Sequence, residues 1–424
     1  MEELVIVLPS GKCEWGGCVF CGWGRMKAKQ KTIRELKEFF DSKLKGLKAG
    51  ELERLKVFCS GCFLDPKQVV PAFRSYLVRK CEQLCIKSLI VESFPKFITD
   101  ENLENMRSNK VKILAGIGLE VADDAALKRI NKGFTLEEFE KASEVCKRNG
   151  WGIRAYLLVN CPGAENLLKK SVEYAKKWSE EVILINCLPH YAAPIMQFYV
   201  TGKWKPFNEK EFIEATKEFD VEKDFQNFSF RPMFPDFMRE KIRGAGEKQL
   251  LHPHFRIWQE FFRDFYKPKK DKDILLFVPC SFRKPYTASH LHKAIDPVLT
   301  ENIQRVVVST PGVVPIEYCN DYPFNSYDWP EWEETKEIKQ KYIDVTEKRV
   351  EDFLRAHAAH YKKILCYLKP DTESFKAVML AAEKLGIKVE SCIREEVYES
   401  FKDEKNPLAH PLAVKELERV VKKL

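Results

Sequence analysis

Three cysteines, Cys13, Cys18 and Cys21, stand at the spacing C-x4-C-x2-C just after a short apolar run near the N-terminus. Thiolates this close call for a metal centre. A structural zinc ion demands four protein ligands, whereas a [4Fe–4S] cluster can leave one iron without a protein ligand. The fourth ligand decides between them. No histidine precedes His190, so a zinc site here would have to draw on Cys59 or Cys62. Gly16, Gly17, Gly22 and Gly24 surround the thiols, as a loop wrapped closely around a cuboidal cluster requires.

With three ligands only, the open iron can be chelated by the amino and carboxylate groups of S-adenosylmethionine (SAM). An electron passed into the sulfonium then releases a 5′-deoxyadenosyl radical, chemistry that belongs to the cofactor. Phe20, between the second and third cysteines, could pack on the adenine of SAM or close the loop on the domain core. A second group of reactive side chains lies in PCSFRKPY, residues 279–286, after an apolar run. There Cys280 could act as a nucleophile, with Lys284 or His290 moving the proton. Equally, Cys280 could be a small buried residue and Lys284 a phosphate contact. Asp328 in SYDWP could hold a ligand's ammonium group, or end a loop before Pro330.

The elements that must position these residues are legible as patterns. From residue 4 to about 200, apolar runs such as LVIVLP, KVFCSG, KILAGIGLE and EVILINCLP alternate with helical stretches such as RELKEFFDSKL and TLEEFEKASEVCKRNG. That order predicts parallel strands joined by crossover helices, with six strands forming a partial (β/α) barrel whose site gathers at the C-terminal strand ends. The expected organisation is a barrel over 1–205, an aromatic and proline-rich junction with one amphipathic helix over 206–245 and its surroundings, and a smaller three-layer α/β domain over 246–424. In the last, helices are expected from about Lys341 to His360 and from Glu373 to Leu385, and the charged tail from Glu399 is expected to fray.

A chain of 424 residues, 45% hydrophobic and 32% charged, has the composition of a globular protein, and no stretch reaches the ~20 apolar residues a membrane span needs. The N-terminus lacks a secretory pattern, so a cytoplasmic location is expected, and fourteen cysteines in a reducing compartment are expected free or metal-bound. The formal charge of +8 favours a polyanionic partner without demanding one.

The motifs KCEWGGCVFCGWG, FCSGCFLDPKQV, SLIVESFPKFIT, AGIGLEVADDAALKRINKGFTLEEF and RAYLLVNCPG lie in register along residues 5–200. Together they resemble the archaeosine-biosynthesis radical SAM family. The resemblance implies a radical SAM fold, a [4Fe–4S] cluster, SAM, a reductant protein, and a tRNA carrying a lysine-modified 7-deazaguanine. Cleaving that adduct, a lyase-type C–N scission, leaves the formamidine of archaeosine. In such enzymes Ser60 and Gly61 would meet the SAM amino group. Glu120 could hold the ammonium or ribose of SAM, or cap a helix; Lys132 and Arg154 could face the SAM carboxylate or the substrate, or be ordinary charges at the barrel lip. Cys59 and Cys62 depart from the family pattern and read best as buried thiols.

From about Leu250, the segments LLHPHFRIWQEFFRDFYKP, LLFVPCSFRKPYTASHLHKAI, VVVSTPGVVPIE and YPFNSYDWP resemble the signature domain of archaeosine synthase, which attaches lysine to the nitrile-bearing base. No transglycosylase-type barrel or C-terminal RNA-binding module is recognisable beside it. The resemblance therefore implies a domain that binds the tRNA or lysine adduct, or assists its formation, alongside a separate archaeosine synthase. Two other readings stay open: another radical SAM modification of a 7-deazaguanine tRNA base, and a non-enzymatic tRNA-binding partner stabilised by zinc.

Overall fold

The computed structural model describes residues 3–225 and 230–424, so residues 226–229 of the expected junction lie outside the described residues. The chain divides into two compact units, Met1–Phe230 and Arg231–Leu424. The stretch 206–245 contributes to both.

Unit 1 holds seven strands: β1 (Glu3–Val7), β2 (Arg54–Phe58), β3 (Ser88–Ser93), β4 (Lys112–Glu120), β5 (Gly152–Val159), β6 (Glu181–Asn186) and β7 (Glu222–Lys223). Its helices are α1 (Ile33–Lys43), α2 (Pro71–Gln83), α3 (Asp100–Glu104), α4 (Asp124–Arg129), α5 (Leu136–Arg148), α6 (Leu168–Trp178), α7 (Ile195–Val200) and α8 (Glu209–Thr216). Several start where the sequence dictates: Thr32 with Glu35, Thr135 with Glu138 and Asn208 with Glu211 form capping boxes. All neighbouring strands are parallel, and their order in the sheet is their order in the chain. Right-handed crossovers that always step the same way keep the helices on one face, and the sheet curls into a half-barrel. β7, two residues long, is too short for any periodicity to reveal.

Alternation decides what each strand side chain meets. Leu55, Val57, Leu89, Val91, Ile113, Ala115, Ile153, Ala155 and Leu184 point outward into the buried core under the helices. The register row Val7, Phe58, Glu92, Gly116, Arg154 and Glu181 points the other way, into the lumen.

Unit 2 contains β8 (Ile242–Arg243), β9 (Ile274–Pro279), β10 (Ile303–Ser309), β11 (Gly312–Pro315), β12 (Tyr327–Asp328), β13 (Lys363–Cys366) and β14 (Glu390–Ser391), with helices α9 (Glu247–Leu250), α10 (Pro253–Asp264), α11 (His290–Ile295), α12 (Lys336–His357), α13 (Glu373–Leu385), α14 (Glu395–Glu399) and α15 (Pro411–Val421). Its main sheet runs β11-β10-β9-β13-β14, parallel except for the β10–β11 pair. Crossovers leave β9 toward β10 and then return past it to β13, which places α11 on one face and α12 and α13 on the other. The core around α10 is aromatic: Trp258 is fully buried against Phe262, Tyr318 and Phe324, and its indole donates to Tyr322 O at 3.0 Å.

Two expectations are corrected here. α12 begins at Lys336 rather than near Lys341, because Thr335 caps it by accepting from the Ile338 amide. The tail does not fray as a whole, because α15 buries Ala413, Leu417, Val420 and Val421, and Arg394 holds Glu416 through two bonds of 2.8 and 2.9 Å.

Candidate functional site

The loop carrying Cys13, Cys18 and Cys21 follows β1, at the C-terminal end of the half-barrel strands. All three thiols are half-buried. Gly61 makes room for the first, since a Cβ there would lie 2.7 Å from Cys13 Sγ. Ser60 is fixed by its amide, which donates to Ser10 Oγ at 3.0 Å. Arg25 braces the loop by donating to Cys18 O at 2.9 Å and Cys21 O at 2.7 Å. From the connection between α4 and α5, Asn131 donates to Gly17 O at 2.9 Å, and the Trp15 indole returns a 2.7 Å bond to Asn131 O. The Trp15 ring fits only because Gly133, at φ +83°, has no side chain. His190 packs against Gly22. Sequence reasoning missed Arg25, Asn131 and Trp15; the one signal available was their closeness to the cysteine or INKG motifs.

Burial raises the Cys18 thiol pKa to about 11, assisted by Cys21 and Cys13, and burial also raises that of Cys21. Among the described residues no three His, Cys, Asp or Glu side chains close on a single metal ion. Three thiols on one braced loop, each within electrostatic reach of the others and with the Gly61 cradle beside Cys13, do fit the ligand set of a cluster. Cys59 and Cys62 are buried, and burial raises both thiols.

A bulge between Gly118 and Glu120 ends β4, and Glu120 adopts φ +66°. Its carboxylate accepts from Lys132 Nζ at 2.6 Å, in a pair only 8% and 11% exposed. Burial works to lower the Lys132 pKa, yet Glu120 beside it holds it above the ordinary value. Lys132 Nζ also lies 5.5 Å from the centre of the Phe20 ring, which packs against Val121, Ala126 and Ile130. Phe20, Glu120 and Lys132 therefore stand together, on the chain that braces the cysteine loop.

Arg154 is elsewhere. It is the third residue of β5, 1% exposed, and bonded to Glu181 and, at 2.6 Å, to Glu222. The expectation that it faces SAM is corrected: its guanidinium is committed to two carboxylates from β6 and β7.

In unit 2, strand order reverses at β9, and the crevice beyond the C-terminal ends of β9 and β13 is where an open α/β sheet binds ligands. A cavity of about 390 Å³ opens there, lined by Cys280, Lys284 and Asp328 together with Trp329, Lys339, Tyr342, Lys369 and Glu373. Lys284 Nζ donates to Ser281 O at 2.6 Å and lies 4.1 Å from the centre of the Tyr327 ring; burial lowers its pKa. Tyr327 and Tyr286 share a 2.9 Å hydroxyl bond beneath it. Asp328 meets Arg243 at 3.6 Å. His290 does not join them: it is exposed at the start of α11 and does not line the cavity, which corrects its expected part in proton transfer. The neighbouring buried histidine, His292, is turned to Pro279 O at 3.1 Å.

Residues 255–405 match a family model described as a domain of unknown function, DUF5591. The archaeosine synthase subunit beta of Methanosarcina acetivorans is 26% identical over 268 residues, covering 59% of this chain and 73% of that protein. The archaeosine synthase subunit alpha of Thermoplasma acidophilum is 26% identical over 204 residues, covering 46% of this chain but only 38% of that protein. Among solved structures, methylornithine synthase aligns with 46% of this chain and 56% of its own at 16% identity and a TM-score of 0.37. No helix among the described residues is long and apolar enough to cross a membrane. The chain is thus a relative of the archaeosine synthase subunits, with a DUF5591 domain in its C-terminal unit.

Proposed function

We propose that this protein is a radical SAM enzyme of archaeosine biosynthesis that cleaves the lysine adduct of a 7-deazaguanine base in tRNA to the formamidine. The observation that carries the reading is the braced three-cysteine loop at the C-terminal end of the half-barrel, with the Gly61 cradle against Cys13. Cys13, Cys18 and Cys21 would hold a [4Fe–4S] cluster, which with SAM supplies one-electron reductive cleavage and a carbon-centred radical. Arg25 holds the loop's carbonyls inward. Phe20, Ser60, Gly61 and Glu120 would line the place of SAM, with Lys132 holding the Glu120 carboxylate in position at 2.6 Å.

The sequence resemblance of unit 2 to the signature domain of archaeosine synthase supports the same reading. Cys280, Lys284 and Asp328 would bind the lysine-bearing base or assist its formation, on a protein that works with tRNA, a reductant protein and a separate archaeosine synthase. Tethering the two units raises the effective concentration of the second step. The test is nucleoside mass spectrometry on tRNA carrying the lysine adduct, after anaerobic reconstitution. Cys13→Ala is expected to abolish archaeosine formation, and a variant that still forms it would rule out the radical mechanism. Cys280→Ala should weaken turnover or adduct formation; full activity would remove that residue from the chemistry.

A further inference from the structure

Among the described residues, the lumen of the half-barrel holds one carboxyl group with no cation paired to it. Glu92 lies in the row that faces the lumen, between Phe58 on β2 and Gly116 on β4. The other charges on that face are matched. Arg54 and Arg154 stand against Glu181 and Glu222, Lys132 against Glu120, and Lys56 against Glu3 at 2.6 Å. Glu92 has no such counterpart: among the described residues no lysine, arginine or histidine is paired with it, and its Oε2 accepts the Cys59 amide at 2.8 Å. Burial raises its pKa to about 7, with Glu120 adding to the rise and Lys132 opposing it.

Much of the wall around it is apolar, and the Tyr156 hydroxyl is taken by Arg154 Nε at 3.2 Å. Ile90 and Leu114 lie one step below on the same face, fully buried, with Phe58 and Tyr156 in edge contact 6.2 Å apart above. On the first strand Val5 and Val7 turn their side chains to solvent, 42% and 53% exposed, at the open edge. A carboxyl without a salt-bridge partner beside a largely apolar wall selects an aliphatic chain that ends in a cation, because such a ligand both covers the apolar wall and pairs the carboxyl.

We propose that Glu92 seats a primary ammonium group of the substrate inside the half-barrel. The inference deepens the reading of unit 1 as the place where a lysine-bearing base is cleaved, and it names the residue that recognises the amino-acid part. SAM also carries cationic groups, so the experiment separates the two sources.

The reconstituted full-length chain would be titrated by calorimetry with n-pentylamine, with 1-pentanol as the neutral isostere, and separately with SAM. The wild-type chain is expected to prefer the amine. Glu92→Gln should bind the amine at least tenfold more weakly with SAM affinity unchanged, and Glu92→Asp, which keeps the charge, should recover part of the loss. Equal amine binding by wild type and Glu92→Gln would overturn the proposal, as would loss of SAM affinity in Glu92→Gln, since the carboxyl would then serve the cofactor. Should Glu92-dependent amine binding hold while the wild-type chain fails to cleave the lysine adduct, the reaction reading falls and the ammonium seat stands.

Discussion

A methyl group at residue 61 would sit 2.7 Å from the Cys13 sulfur, closer than unbonded atoms tolerate, so the loop would have to move before any metal was bound. Gly61→Ala is therefore expected to keep its far-ultraviolet circular dichroism while iron and sulfide per chain after reconstitution fall below half the wild-type content. Glu92 makes a different prediction, about stability. Its carboxyl titrates near pH 7 when folded against 4.5 ordinarily, because burial disfavours the charge. Between those values the folded chain holds the proton more tightly than the unfolded one, so stability falls as pH rises from about 4.5 to about 7. Glu92→Gln removes the penalty: denaturant melts should show it more stable than wild type by up to ~3 kcal/mol at pH 8 and unchanged near pH 4. Of these residues the grouping of the cysteines on one loop was legible from their spacing, three thiols in nine positions. Arg25 and Glu92 were not, because one charge in a loop or strand gives no sign of which way it points. Arg154 and His290 were misplaced for the same reason: sequence sets a residue near a strand end or a motif, but not which neighbours claim its side chain.

At the scale of elements, strand and helix order followed from apolar runs and capping residues, while irregularities did not. The bulge that swings Glu120 toward Lys132 depends on a left-handed backbone at a glutamate, which no propensity announces. β7 is two residues long yet supplies Glu222 to Arg154, so its presence shows only through its partner. The C-terminal helix was hidden by its charge: α15 alternates Lys and Glu with the apolar residues that bury it. Leu417 is fully buried there, and Leu417→Ala should cost about 2–5 kcal/mol in chemical denaturation of unit 2, with the iron content of the chain unchanged.

Across the whole molecule, each proposed chemical group lies within a single unit, the cysteine loop in the first and the Cys280 cavity in the second. Cys280→Ala should accordingly bind as much iron as wild type when assayed by colorimetric iron determination. The strand order of unit 1 carries a consequence in time. Because each strand pairs with the one made just before it, the sheet can grow edgewise as the polypeptide leaves the ribosome. The cysteine loop precedes most of the first unit; Arg25 emerges with it, but its other braces come from Asn131, Gly133 and His190. The loop is therefore only partly braced until most of the first unit has emerged, and under the proposed function iron delivery would follow the end of that unit's synthesis rather than its beginning.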